Sequence, residues 1–416
     1  MADKRDLTIK KRKPAGREAD GAETVGETPA AGLHALPPRR KRRRGRSVLR
    51  LVFRLALVAA LVAGIFLVYK NWDSIAPESL VIWLEEKLSG GQAGDGFPVE
   101  LSGSEVLEMA ESRDGLALLS DTAYIVYNSS GGEVLRRPHG FSSPVMKTAG
   151  KWTLIAEAGG TRLRLETRSS TALEMAMENK IVSAAVAENG SFAVCTESSQ
   201  GFTSEIVVYS SKEKLLFRWQ GVDRTVLDVA LSADGAYLAA VGVTAQDGAL
   251  KSSLLLFDLG KKDPVAQVDD TGAMLCAVGF FSNGAVAAVG DTGLWVVGRD
   301  GSIQQKTDYG SRELVGFAVG EKNAAVVLQD YGGTEGGELL VVNPNGDTAY
   351  TLPFEGTYRH IAPTESGAVL LTSAHLYKTG AQGLEETMEA PRDGRLVSTL
   401  GHKVLVLGLT ALSEVS

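Results

Sequence analysis

Cysteine is nearly absent: Cys195 and Cys276 are the only two in 416 residues. One pair cannot staple a chain of this length, and neither sits in a Cys-x-x-Cys or zinc-ligand spacing, so disulfide scaffolds and structural zinc are excluded. Histidine is also sparse, and His34, His139, His360, His375 and His402 are scattered with no metal-ligand spacing. The chain has no alternating-Asp calcium loop, HExxH, Walker loop or GxSxG. The run Asn343-Pro344-Asn345-Gly346-Asp347 offers three oxygen ligands, but it falls where a hairpin turn belongs and reads as a turn. Neither a metal site nor a cofactor is expected. Both cysteines lie among apolar strand residues and read as buried structural thiols rather than nucleophiles.

Each part of the chain is short of charge of one sign. Residues 1–54 carry 16 Lys/Arg against 6 Asp/Glu, a net +10, and the remaining 362 residues carry 27 against 44, a net −17. Between the two lies the one long apolar run, Val48 to Tyr69, with Arg50 and Arg54 near its start and no later charge. As a helix its 22 residues extend about 33 Å, enough to cross the hydrocarbon core once the two arginines snorkel to the headgroups. No polar stripe marks a soluble face. Directly before it stand Arg39, Arg40, Lys41, Arg42, Arg43, Arg44 and Arg46, with Lys70 the one basic residue just after. The charge asymmetry places the N-terminus inside the cell and the bulk of the chain outside the cytoplasm. Against a membrane span, this tract is more simply a topology signal than a nucleic-acid patch, and no nucleic-acid partner is expected. A cleaved signal peptide fits less well, because more than 45 residues precede the apolar run.

The resulting organisation is a disordered basic cytoplasmic tail over 1–47, a transmembrane helix over 48–70, a juxtamembrane segment over 71–96 and an extracytoplasmic domain over 97–416. In the juxtamembrane segment Leu80, Trp83, Leu84 and Leu88 recur at helical spacing, followed by the Gly-rich linker Ser89 to Gly96. Whether that amphipathic helix lies on the membrane, packs on the domain or dimerises is open.

The domain itself repeats. The clearest unit, Val226 to Asp270, holds four strand-like runs of five to eight residues separated by turn chemistry. Glu188-Asn189-Gly190, Ser232-Ala233-Asp234-Gly235 and Ser282-Asn283-Gly284 recur after its first strand, and Tyr127-Asn128, Tyr209-Ser210 and Phe257-Asp258 recur after its third. First strands begin near Val106, Val145, Ile181, Val226, Ala273, Leu314, Tyr358 and Leu396, at intervals of 36 to 47 residues. That spacing brackets the roughly 40–45 residues of a four-stranded propeller blade. The fold class is therefore all-β, a propeller of seven to eight four-stranded blades with eight favoured. The last unit has three strands, and Phe97 to Leu101 can supply its fourth and close the ring.

The turn pattern resembles bacterial WD-like and quinoprotein-like propellers, without the Gly-His and Trp-Asp marks of the eukaryotic WD repeat. More narrowly, the runs Tyr69-Lys70-Asn71-Trp72, Gly96-Phe97-Pro98-Val99 and Leu118 to Ala123 resemble an uncharacterised family of membrane-anchored propeller proteins of Firmicutes. That resemblance implies a bacterial cell membrane location and brings no activity with it. Of the five tryptophans, Trp72 and Trp83 precede the domain and only Trp152, Trp219 and Trp295 lie in it. Quinone-dependent dehydrogenases of propeller form use a tryptophan at every blade, so that enzyme class is disfavoured.

Polar residues on first strands face the central channel, which makes Asp228, Arg359 and His360 the binding candidates. Arg359 beside His360 suits an anion, although a plain exposed pair at a strand start is the simpler account. The leading expectation is a noncatalytic scaffold that binds a protein or a cell-wall ligand through its loop-rich faces. The alternatives are a hydrolase or lyase with its site at the channel mouth, and an envelope sensor that signals through a partner.

Overall fold

A computed structural model describes residues 94–415 other than 102, 114, 169, 199, 200 and 247. The basic tail, the apolar run, the juxtamembrane helix and the linker up to residue 93 lie outside the described residues, as do the seven basic residues at 39–46. Among the described residues no helix is long and apolar enough to cross a membrane.

Among the described residues thirty-two strands form eight antiparallel sheets of four. Blade 1 comprises β2 (Val106–Ser112), β3 (Gly115–Ser120), β4 (Ala123–Tyr127) and β5 (Glu133–Pro138), paired in that order. Six further blades repeat it, with innermost strands β6 (Pro144–Ala149), β10 (Ile181–Val186), β14 (Thr225–Leu231), β18 (Leu275–Phe280), β22 (Arg312–Val319) and β26 (Tyr358–Pro363). Blade 8 holds β30 (Leu396–Leu400), β31 (Lys403–Leu407), β32 (Ala411–Val415) and, from the other end of the domain, β1 (Val99–Glu100). Each observed start lies within two residues of the expected one. The second and eighth units are complete four-stranded blades.

The middle strands show why this sequence makes propeller blades. GLALLS of β3 and AYIVY of β4 are buried at every position. A strand covered on both faces loses the alternation of a half-buried one and reads as a continuous run of small and branched apolar residues. Outermost strands keep the alternation, as in TALEMA of β9 (Thr171–Ala176), where half-buried and exposed positions take turns. The core is correspondingly divided into eight apolar clusters, one between each neighbouring pair of blades. The cluster between blades 8 and 1 joins Leu400, Leu405, Leu407 and Leu412 to Val106, Met109, Leu116 and Leu118, so the ring closes through side chains as well as through β1.

Closure through β1 follows the expected route with a shorter strand. Val99 pairs with Leu412 and Glu100 with Ala411, and the Leu101 amide donates to Thr410 O at 2.8 Å. Phe97, Val99 and Leu101 lie partly buried against the blade 8–blade 1 cluster. Upstream of β1, the Gly94 and Gly96 amides donate to Ser130 in the turn between β4 and β5, to its hydroxyl and its carbonyl respectively. A side chain at position 94 would strike that turn's backbone, which is why glycine stands there.

The antiparallel order sorts the loops onto two faces. Hairpins joining first to second and third to fourth strands form the turn face, where residues 94–98 enter. Second-to-third hairpins and the links between blades form the opposite, connector face.

Candidate functional site

Six of the eight innermost strands carry a β-bulge near the connector-face end, one to three residues in from the strand's start. The bulge inserts Leu107, Val182, Leu227, Cys276, Val315 and Arg359, leaving each without a partner in the neighbouring strand. It also re-aims the residue that follows, which is Glu108, Ser183, Asp228, Ala277, Gly316 or His360.

Four of these six side chains are polar, and each reaches a neighbouring blade. In blade 4, Asp228 accepts from the Ser183 hydroxyl of blade 3 at 2.7 Å through Oδ1, and from the Val278 amide of blade 5 at 3.0 Å through Oδ2. One carboxylate thus ties three blades. Glu108 of blade 1 accepts from the Met146 amide of blade 2 at 3.1 Å. Burial pushes the Glu108 carboxyl above its ordinary range, partly offset by that amide and by Lys147. In blade 7, His360 Nδ1 accepts from the Val397 amide of blade 8 at 3.2 Å, which places the proton of the neutral ring on Nε2. Burial holds this imidazole below its ordinary range. Where the equivalent residue is Gly316, the Tyr358 hydroxyl of blade 7 occupies the space a Cβ would need.

Arg359 turns its guanidinium to the link between blades 7 and 8. Nη1 donates to Pro391 O at 3.2 Å and Gly394 O at 2.8 Å, and Nη2 to Arg392 O at 3.0 Å. The two sequence candidates of blade 7 are thus engaged in separate bonds, Arg359 with the link leading into blade 8 and His360 with the first strand of blade 8 itself. The last joint adds a residue that the sequence reading did not single out: Glu111 accepts from Thr399 Oγ1 at 2.6 Å and from the Gly401 amide at 2.8 Å, bonding blade 1 to blade 8. Glu108, Ser183 and Glu111 were also passed over. The signal for the first two, a polar residue directly after the bulged one in its first strand, emerges only after the strands are aligned on the bulge.

The thiols lie beside Asp228. Burial, with the Asp228 charge as a second cause, pushes Cys195 up to about 12 and also raises Cys276, so both remain protonated at neutral pH. Residues 343–347 form a turn: the Asn343 amide donates to Asp347 O, the Gly346 amide donates back to Asn343 O, and Asn345 Nδ2 bonds the Asp347 carboxylate. Among the described residues no group of three or more His, Cys, Asp or Glu is arranged to hold a metal ion.

Eight radially arranged four-stranded sheets, joined by polar bonds between their inner strands and sealed by a strand from the opposite terminus, define an eight-bladed β-propeller. The chain belongs to a family of unknown function, DUF5711, whose profile matches residues 99–389, from β1 through the last strand of blade 7. No match was found among curated proteins. Solved structures of similar fold include BamB from Moraxella catarrhalis, with 12% identity, a TM-score of 0.50, and coverage of 77% of this chain and 97% of that one. Saccharomyces cerevisiae Sqt1 is 11% identical with a TM-score of 0.51, over 76% of this chain and 97% of its own. The C-terminal WD40 domain of Sif2 is 11% identical with a TM-score of 0.55, over 77% and 98%. At such identities the likeness is one of fold.

Proposed function

We propose that this protein is a noncatalytic binding scaffold of the bacterial cell envelope, anchored by one membrane span with its propeller outside the cytoplasm, where it engages a protein or a wall ligand. The observation that carries the noncatalytic reading is the use made of the inner-strand polar groups. Asp228, Arg359 and His360 direct their polar atoms to neighbouring strands and links rather than toward a common point. General acid–base or nucleophilic chemistry needs such groups convergent on one reacting atom. Anchoring and orientation rest on the apolar run 48–69 and on the +10 and −17 charge on its two sides.

Two experiments test the two halves. Ser129 is exposed at a turn-face tip, and Ser129→Cys in a Cys276→Ser background is expected to react with an impermeant maleimide on cells permeabilised only at the wall, whereas Ala22→Cys is not. The reverse pattern overturns the orientation. Crosslinking of the wild-type chain in intact cells is expected to recover a discrete complex with one or a few partners. Recovery of the uncrosslinked chain alone, with a turnover detected in purified protein, overturns the scaffold reading.

A further inference from the structure

Blade 4 departs from the other seven in one respect. Its two middle strands, β15 (Tyr237–Gln246) and β16 (Ala249–Asp258), are ten residues each, against five or six for the middle strands of most other blades. The flanking strands do not follow them. The innermost strand β14 begins opposite Val243, and the outermost strand β17 (Ala266–Asp270) ends opposite Ser252. The paired residues 244–246 and 249–251 therefore project from the connector face as a bare hairpin, with Thr244↔Lys251 at its base and Gln246↔Ala249 nearest its tip. At 3.3 Å per residue it stands about 10 Å proud, with both strand edges unpaired.

Its surroundings are apolar and acidic. Leu250 on the hairpin, Val222 in the link entering blade 4 and Met274 in the link leaving it are 48%, 64% and 41% exposed. Four large apolar residues are exposed in loops anywhere among the described residues, namely Val222, Met274, Tyr331 and Leu409, and all four lie on the connector face. Among the described residues the loops of that face carry eight Asp/Glu against four Lys/Arg, a net −4, while those of the turn face, with the entering residues 94–98, carry nine of each. Around the hairpin, Arg224 pairs with Asp223, Lys251 with Asp269 and Lys306 with Asp270, at 2.8, 2.9 and 2.6 Å. Hydrogen bonds from Arg224 to Asp223 and from Lys306 to Asp270 hold those carboxyls below their ordinary range. Burial alone would raise Asp269, but bonds from Ser253, Lys251 and Gln267 outweigh it. Asp291, whose carboxylate accepts from the Met274 amide at 2.8 Å, adds a further acidic residue, so the local balance among the described residues is four acidic against three basic.

We propose that the projecting hairpin, with Val222 and Met274 on its flanks, is the docking surface for a partner protein whose contact patch is apolar and bordered by Lys and Arg. The apolar tips supply area that water leaves on contact, and the surplus carboxylates select a basic rim. The same surplus repels an anionic lipid surface, which decides between a protein and a membrane as occupant. The unpaired edges also allow an extended partner segment to add as a strand. This deepens the scaffold reading, on which it rests, by naming the face, the blade and the partner's chemistry.

The test is site-specific photocrosslinking of the full chain in the cells that make it, with a benzophenone side chain at position 222, 250 or 274, and at 213 or 365 on the turn face as controls. The expected result is one protein, identified by mass spectrometry, captured from all three connector-face positions and from neither control. With that protein purified, Leu250→Asp combined with Met274→Asp is expected to weaken binding at least tenfold. Raising NaCl from about 50 to about 500 mM, which shortens the Debye length about threefold, is expected to weaken it further. Capture from the turn face alone overturns the hairpin assignment and leaves the scaffold reading standing. Capture of lipid, of a second copy of this chain, or of a partner whose binding is indifferent to both perturbations overturns the proposal. Capture at neither face, together with the recovery of only uncrosslinked wild-type chain, brings down the scaffold reading itself.

Discussion

Asp228 is the polar residue with the widest reach, and its removal offers the sharpest test of how this propeller is held together. Asp228→Ala takes away the acceptor for the Ser183 hydroxyl and for the Val278 amide, and Val278 is only 8% exposed. A hydrogen bond to a charged acceptor contributes about 1.5–3 kcal/mol, and release of the carboxylate to water returns part of that, so a net loss of about 3 kcal/mol is expected. With an unfolding entropy of about 2.1 cal/mol/K per residue, a domain of this length should melt about 4–5 °C lower. Asp228→Asn keeps an acceptor for one donor and is expected to lose about half as much. A double-mutant cycle with Ser183→Ala should return a coupling of about 1 kcal/mol in urea denaturation. A second readout is independent of stability: without the Asp228 charge, Cys276 should react faster with a small alkylating agent at fixed pH, since that charge is one of the causes raising its thiol. Wild-type melting together with no coupling to Ser183 would refute the claim that these bonds tie the blades.

Three further outcomes follow from other joints. Deleting residues 95–101 removes β1, its bond to Thr410 and the partly buried Phe97, Val99 and Leu101; after the entropy regained by the free chain, a loss of about 2–4 kcal/mol is expected. Deleting 89–93 should leave protease resistance unchanged, and equal resistance of both deletions would sink the closure account. Because burial lowers the His360 pKa, the stability its neutral ring contributes is complete above about pH 6.5 and is lost as pH falls through the folded value. His360→Gln, which keeps an acceptor for the Val397 amide, should flatten that slope, and an unchanged slope in acid denaturation would count against it. Glu108 has the opposite sign: burial raises its pKa, so stability is complete below about pH 4.5 and falls as pH rises through the folded value. Glu108→Gln should therefore be more stable than the wild type at pH 7 and match it in acid, and a variant less stable at pH 7 would show that the charged form is the one the site favours.

The sequence by itself determined the repeat. Turn chemistry such as Asp234-Gly235 acts locally, since Gly235 takes φ +66° wherever its neighbours lie. Strands buried on both faces must be largely apolar, and the last unit, with three strand-like runs and Phe97 to Leu101 free upstream, declared both the eighth blade and its fourth strand. These are short-range or compositional requirements, so they are visible before folding. The polar contacts were decided by the tertiary structure. Ser183, Asp228 and Val278 are 45 and 50 residues apart in sequence, and the bulge in six of the eight inner strands determines which side chain faces the next blade. Channel-strand position alone could not distinguish an Asp228 offered to a ligand from one bonded to two neighbours. The projection of residues 244–246 and 249–251 was equally hidden, because strand length beyond the flanking strands depends on where β14 begins and β17 ends, and pairing register is a property of several strands at once.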